Sequence, residues 1–92
     1  AVVGLTRSFA QEYGKYNIRT NCIAPGFIKT KMTAKALDSD PPRKEKVFSR
    51  TPMGKMGLPE DIADAVFFMC SKEAKFVTGT VLPVDGGNRI GF

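Results

Sequence analysis

Apolar residues at Val2, Leu5, Phe9, Tyr13 and Tyr16 recur at three- and four-residue steps, which places their side chains on one face of a helix. Gly14 stands near the end of that pattern as a stop signal. No capping Ser, Thr, Asp or Asn precedes Ala1-Val2-Val3, already in register, so the helix is expected to continue upstream in a longer protein. After Lys15-Tyr16-Asn17 the pattern changes. Ile18 to Ala24 reads as a buried strand interrupted by Arg19 and Asn21, and it stops at Pro25-Gly26.

In an open α/β sheet, ligands bind beyond the carboxyl ends of the strands, where a rigid Pro and a Gly without a side chain expose backbone groups. The Pro25-Gly26 edge is therefore the first candidate site. Thr30 is placed to cap a short helix from Lys31 to Leu37, and Asp40 to cap another that opens with Pro41-Pro42 and runs to about Arg50. Met32, Leu37, Val47 and Phe48 are its few apolar anchors, so residues 30–55 read as a lid more than as core.

Thr51 to Gly57 is a turn-rich return, and Pro59 with Glu60 and Asp61 opens a well-marked helix. Its stripe of Ile62, Val66, Met69 and Cys70, with Ala63 and Phe67 beside it, is expected to cover a sheet and bind nothing. The Thr78-Gly79 turn leads to a second strand, Thr80 to Val84, in which Pro83 argues for an edge position or a bulge. Strand, helix and strand make one βαβ unit with parallel strands. Two strands are too few for a parallel sheet covered on both faces, so the first helix and the inner strand call for strands outside the chain.

The 92 residues suit one small domain. No apolar run approaches the roughly 20 residues that span a bilayer and no secretory pattern opens the chain, so no membrane role and a cytoplasmic location are expected. Cys22 and Cys70 have neither metal-ligand nor Cys-x-x-Cys spacing and read as buried, reduced thiols, with no metal site. There is no His, which removes the commonest acid–base group at neutral pH. The net charge of +5 lies wholly between Lys29 and Lys55, where eight Lys and Arg face three Asp and Glu; elsewhere six face six. An anionic ligand or partner is one reading of that excess, and a solvated face of a mobile segment is the other. The cations lack interleaved aromatics and a reading motif, so no nucleic-acid partner is expected.

Taken in order, Val2-Val3-Gly4-Leu5-Thr6-Arg7-Ser8, Ile18 to Asn21, Ala24-Pro25-Gly26, Ile28-Lys29-Thr30, Pro52-Met53-Gly54-Lys55, Gly57 to Ala63, Phe76 to Gly79 and Val84-Asp85-Gly86-Gly87 resemble the short-chain dehydrogenases/reductases. Within that family the chain is similar to the subgroup of 3-oxoacyl-carrier-protein reductases and related sugar or alcohol dehydrogenases. The resemblance covers the whole chain. It implies an α/β fold, with residues 1–92 the C-terminal part of a doubly wound Rossmann domain whose parallel sheet carries helices on both faces. It also implies NAD or NADP as cofactor, and hydride exchange with a small-molecule carbonyl or alcohol, including acyl thioesters on a carrier or coenzyme. Pro25, Gly26 and Ile28 would line the nicotinamide edge, backbone groups of Ile28 reading the carboxamide, and the Thr30 hydroxyl would add a hydrogen bond; a plain structural turn is the alternative.

The family's Gly-rich phosphate loop is missing, as are its catalytic Ser, Tyr and Lys. By the register of the first helix, the Tyr-x-x-x-Lys motif would end about two residues before Ala1, and neither Tyr13 nor Tyr16 has a lysine placed as in that motif. The chain is therefore assigned no catalytic residue. It is expected to supply a nicotinamide wall, a substrate lid and contacts in a homo-oligomer, dimer or homotetramer, through the second strand, the helix after Pro59 and the tail Asn88 to Phe92. Alone it should show no turnover and very weak nucleotide binding. The alternative is a non-catalytic truncated or subunit-associating chain.

Overall fold

The computed structural model describes residues 1–90, so Gly91 and Phe92 of the expected contact tail lie outside the described residues. The chain forms helix α1 (Val2–Tyr13), strand β1 (Cys22–Pro25), helices α2 (Lys31–Asp38), α3 (Pro41–Ser49) and α4 (Pro59–Cys70), and strand β2 (Val81–Val84), with single 3-10 turns at Gly14–Tyr16, Lys72–Ala74 and Asn88–Ile90. The two strands pair in parallel, from Cys22 opposite Val81 to Pro25 opposite Val84. α4 packs on both strands and α1 on β1.

The starts of α2, α3 and α4 follow from their sequences. The Thr30 hydroxyl accepts from the Thr33 N–H at 3.2 Å, and the Asp40 carboxylate accepts from the Arg43 N–H at 3.3 Å before Pro41-Pro42. α4 opens at Pro59 after Leu58, whose N–H donates to Asp61 Oδ2 at 2.7 Å. α1 ends differently from expectation. Gly14 stays right-handed at φ −59°, and Asn17 takes the left-handed conformation at φ 62°. A short polar side chain tolerates that region better than other non-glycine residues do.

The first strand is shorter than its hydrophobicity predicts: Ile18 N–H donates back to the Tyr13 carbonyl at the end of α1, Thr20 bonds to Thr78 and Gly79, and the side chains of Arg19 and Asn21 meet backbone groups that precede β2. The Arg19 guanidinium donates to the carbonyls of Met69 (2.8 Å), Val77 (3.2 Å) and Ser71 (3.3 Å). Asn21 donates to the Val77 carbonyl at 2.9 Å and accepts from the Thr80 N–H at 3.0 Å, so its amide stands in for a strand partner. Pro83 causes no bulge, since the register runs unbroken. The Cys22 and Gly26 N–H groups donate to Thr80 and Val84 carbonyls, which turns the nitrogen of Pro83 away from β1, where no ladder bond is lost.

The apolar core is small. Leu37, Val47, Met69 and Ala74 are its buried residues, and no large side chain among the described residues is fully enclosed. Two of those four, Leu37 and Val47, belong to α2 and α3, so the segment read as a lid carries packing of its own while α1 does not. Thr6 is buried, yet Val2 and Leu5 are more than half exposed and Phe9 and Tyr13 nearly so. On α4, Met69 is buried and Ile62 half-buried, whereas Val66, Phe67 and Phe68 face outward. Cys70 is exposed, contrary to its reading as a buried thiol, because it lies on that uncovered face; Cys22 is half-buried, and both thiols are free. The chain exposes 6925 Å², against about 5,200 Å² for a folded monomer of this size. Its radius of gyration is 15.8 Å, against about 12 Å for a compact domain of this length. Among the described residues the apolar faces of α1 and α4 lie uncovered, which adds to the exposed area.

Candidate functional site

The loop after β1 is fixed from both sides. The Gly26 N–H donates to the Val84 carbonyl at 3.0 Å, continuing the parallel ladder one residue past Pro25. Beyond it, Gly57 N–H donates to the Phe27 carbonyl (2.9 Å) and Lys29 N–H to the Gly57 carbonyl (2.7 Å), so Ile28 and Gly57 form an isolated parallel bridge. In a parallel bridge the residue between the two bonds turns its own N–H and C=O the other way. Ile28 thus presents both groups away from Gly57, and its N–H has no partner among the described residues.

Thr33 ties the far end. Its hydroxyl donates to the Ile28 carbonyl at 2.8 Å and accepts from the Thr30 N–H at 2.7 Å, while the Thr33 N–H reaches back to the Thr30 hydroxyl. A hydroxyl has one proton and two lone pairs. Thr30 Oγ1 also lies 3.1 Å from Thr33 Oγ1, so its oxygen serves the helix cap and its proton lies within reach of Thr33 or of a ligand.

The four residues singled out from the sequence follow one loop but meet different partners. Pro25 is exposed at the strand end, Gly26 is pressed against Asp85, and Ile28 and Thr30 are linked through Thr33. A cavity of about 290 Å³ opens beside this loop, lined by Phe27, Ile28, Met53, Met56, Val84 and Asp85 among others. Of the four, Ile28 alone lines it. Thr33, Gly57 and Asp85 were missed as site residues. The Thr30-x-x-Thr33 spacing, a capping-box pattern with a hydroxyl in place of Glu or Gln, was the available signal for the first.

The Tyr13 ring meets Phe9 edge-on at 5.8 Å, and Lys15 lies over the Tyr16 ring at 5.3 Å, so both rings are engaged at the end of α1. No group of His, Cys, Asp or Glu among the described residues is arranged to hold a metal ion, and no described helix is long and apolar enough to cross a membrane.

Residues 1–89 match the family model described as enoyl-(acyl carrier protein) reductase. A 3-oxoacyl-(acyl-carrier-protein) reductase from Thermotoga maritima is 43% identical over 86 residues, covering 94% of this chain and 34% of that protein. A (3R)-3-hydroxyacyl-CoA dehydrogenase from Canis lupus familiaris is 46% identical over 88 residues, covering 94% of this chain and 32% of that one. Among solved structures, a protein assigned as a 2-deoxy-D-gluconate 3-dehydrogenase from Agrobacterium tumefaciens, with NADP bound, superposes with a TM-score of 0.90 at 43% identity over 97% of this chain and 36% of its own. A 4-hydroxyisoleucine dehydrogenase in complex with NADH superposes with a TM-score of 0.89 at 35% identity over 99% of this chain and 37% of its own. The chain spans about a third of the length of the curated relatives it matches. The parallel strand pair, the helices packed on it and the match along residues 1–89 agree: the chain belongs to the short-chain dehydrogenase/reductase family and has the fold of part of a Rossmann-type domain.

Proposed function

We propose that the chain is the carboxy-terminal part of a cytoplasmic NAD(P)-dependent oxidoreductase that reduces a ketone or oxidises a secondary alcohol, and that it contributes the nicotinamide wall, the substrate lid and subunit contacts. The observation that carries this reading is Ile28. A carboxamide asks for one donor and one acceptor at fixed places, and Ile28 turns an unpartnered N–H and a carbonyl with a second lone pair to the same side. Gly26 and Gly57 fix the backbone on either side, so the pair is held before a ligand arrives.

When bound, the nicotinamide supplies or accepts the hydride. Ile28 and Thr30 would hold it, with Thr33 setting the orientation of both. α2 and α3 would close over the substrate and exclude water. Proton transfer belongs to residues this chain does not contain. The exposed apolar faces of α1 and α4 and Phe76, which is 99% exposed, support burial against further chain or a second subunit. They suit a subunit-associating chain without catalysis equally well, and the same experiment separates the two.

That experiment is a turnover assay on the complete chain that carries residues 1–92, following nicotinamide absorbance with 3-oxoacyl thioesters, simple ketones and secondary alcohols. Substrate-dependent oxidation of NADH or NADPH, or the reverse, is expected. Absence of turnover with every carbonyl and alcohol class, in a folded protein, would overturn the enzyme reading in favour of the associating chain.

A further inference from the structure

Helices α2 and α3 pack chiefly on each other, whereas α1 and α4 pack on the strands. The α2–α3 pair is therefore placed largely by its two chain ends. Thr33 ties the leading end through the Ile28 carbonyl. The trailing end, from Arg50 to Gly54, lies against the turn that follows β2, and Gly86, Gly87 and Asn88 each meet it.

The first two of these contacts are made through backbone. The Gly86 carbonyl accepts from the Met53 N–H at 3.0 Å, and a Cβ on Gly87 would lie 2.8 Å from Pro52 Cγ, so the ring packs directly on the turn. Gly86 and Gly87 have φ of 61° and 89°, a region that glycine enters without steric cost. The same turn presses Asp85 against Gly26. Pro52 and Met53 thus share one support with the strand edge.

One residue upstream the connection changes character. Thr51 is 5% exposed, and its hydroxyl donates to the Val47 carbonyl in the last turn of α3 at 2.9 Å. Its oxygen still has lone pairs to offer. The Asn88 amide donates to that oxygen at 3.3 Å and to the Arg50 carbonyl at 3.4 Å. Both distances exceed the value of about 2.9–3.0 Å most common for such bonds. The end of α3 is joined to the sheet by one side chain, through bonds weaker than the backbone contact beside them. A fixed pivot next to a breakable side-chain bond is the geometry of a latch.

We propose that Asn88 is a positioning residue that latches the lid: its amide holds α3, and α2 with it, and its release lets the pair swing about Pro52-Met53. That the segment closes over a carbonyl or alcohol rests on the oxidoreductase reading; the latch itself rests on Asn88 and Thr51 alone. Because Gly26 is braced by Asp85 independently of Asn88, release shifts the substrate side more than the nucleotide side.

The test uses Asn88→Ala, Thr51→Val and Thr51→Ser in the longer protein that carries residues 1–92, each shown by a melting curve to be folded. Amide exchange across residues 41–50 should accelerate about two- to tenfold in Asn88→Ala and Thr51→Val, the order for one net hydrogen bond, while α4 keeps its protection. Thr51→Ser, which retains the hydroxyl, should exchange like the parent. The double variant Asn88→Ala/Thr51→Val should fall short of the product of the single effects, since both break one latch. In turnover, Asn88→Ala should raise the KM for the carbonyl or alcohol by a larger factor than it changes kcat or the KM for nucleotide. Unchanged exchange in α3, equal acceleration in α3 and α4, or a full product in the double variant would overturn the latch. Faster exchange with an unchanged carbonyl KM would overturn the positioning role. A folded protein without turnover on any carbonyl or alcohol would count against the oxidoreductase reading, and exchange would then decide the latch by itself.

Discussion

Gly26 and Asp85 approach so closely that a methyl group on Gly26 would lie 2.6 Å from Asp85 Cβ and 2.7 Å from its Cα. The glycine that ends the strand edge is thus required first by the chain's own backbone. Asp85 is held in turn, since its carboxylate accepts from the N–H groups of Gly87 and Arg89 at 3.0 Å each. Neither side can yield cheaply. The tight crossing of Gly26 and Asp85 thus sets where Phe27 and Ile28 emerge.

Gly26→Ala should accordingly destabilise the protein by about 1–3 kcal/mol, the range for forcing an extra carbon into a packed site. Gly4→Ala is the matched control. A Cβ at Gly4 meets nothing within 4 Å, and in a helix interior the change should stabilise by about 0.5–1 kcal/mol. Urea denaturation of both variants checks this, and equal effects at the two positions would refute the steric account.

Arg19 gathers three carbonyls from the end of α4 and the approach to β2. Arg19→Met leaves those acceptors without their cation and should cost about 1–3 kcal/mol. Arg19→Lys should recover less than half of that, because a single ammonium cannot span acceptors set for a fork. Thermal unfolding of the two variants measures it, and full rescue by Lys would show that charge alone matters.

Thr33 joins Ile28 to Thr30, so Thr33→Val removes the tether while keeping the shape of the side chain. Loss of this cap hub should cost about 1 kcal/mol. Amide exchange at Ala34, whose N–H bonds to the Thr30 carbonyl, should accelerate more than exchange in α4. On the proposed reading of Ile28 and Thr30 as nicotinamide contacts, the same variant should raise the KM for nicotinamide nucleotide in the longer protein. An unchanged KM with faster exchange would confine Thr33 to the lid.

The 92-residue chain alone should show no reductase turnover, and should bind a hydrophobic dye through the uncovered faces of α1 and α4. Supplying the rest of the Rossmann domain should suppress dye binding. Turnover by the rigorously purified chain would contradict the assignment of no catalytic residue to it.

Much of this was written locally. The caps at Thr30 and Asp40, the prolines opening α3 and α4 and the parallel strand–helix–strand order act within a few residues or through one periodicity, and the sequence by itself determined them. The strand edge at Pro25-Gly26 was legible for the same reason. What only the tertiary structure decided depends on partners distant in the chain. The side chains of Arg19 and Asn21 are held by carbonyls and an amide fifty to sixty positions away, which no local pattern announces. Gly57 became the partner of Ile28, and Asp85 the reason for Gly26, through contacts no local pattern encodes. Hydrophobic periodicity marked the faces of α1 and α4 that need cover, but burial is a property of two surfaces, and these described residues hold only one of them.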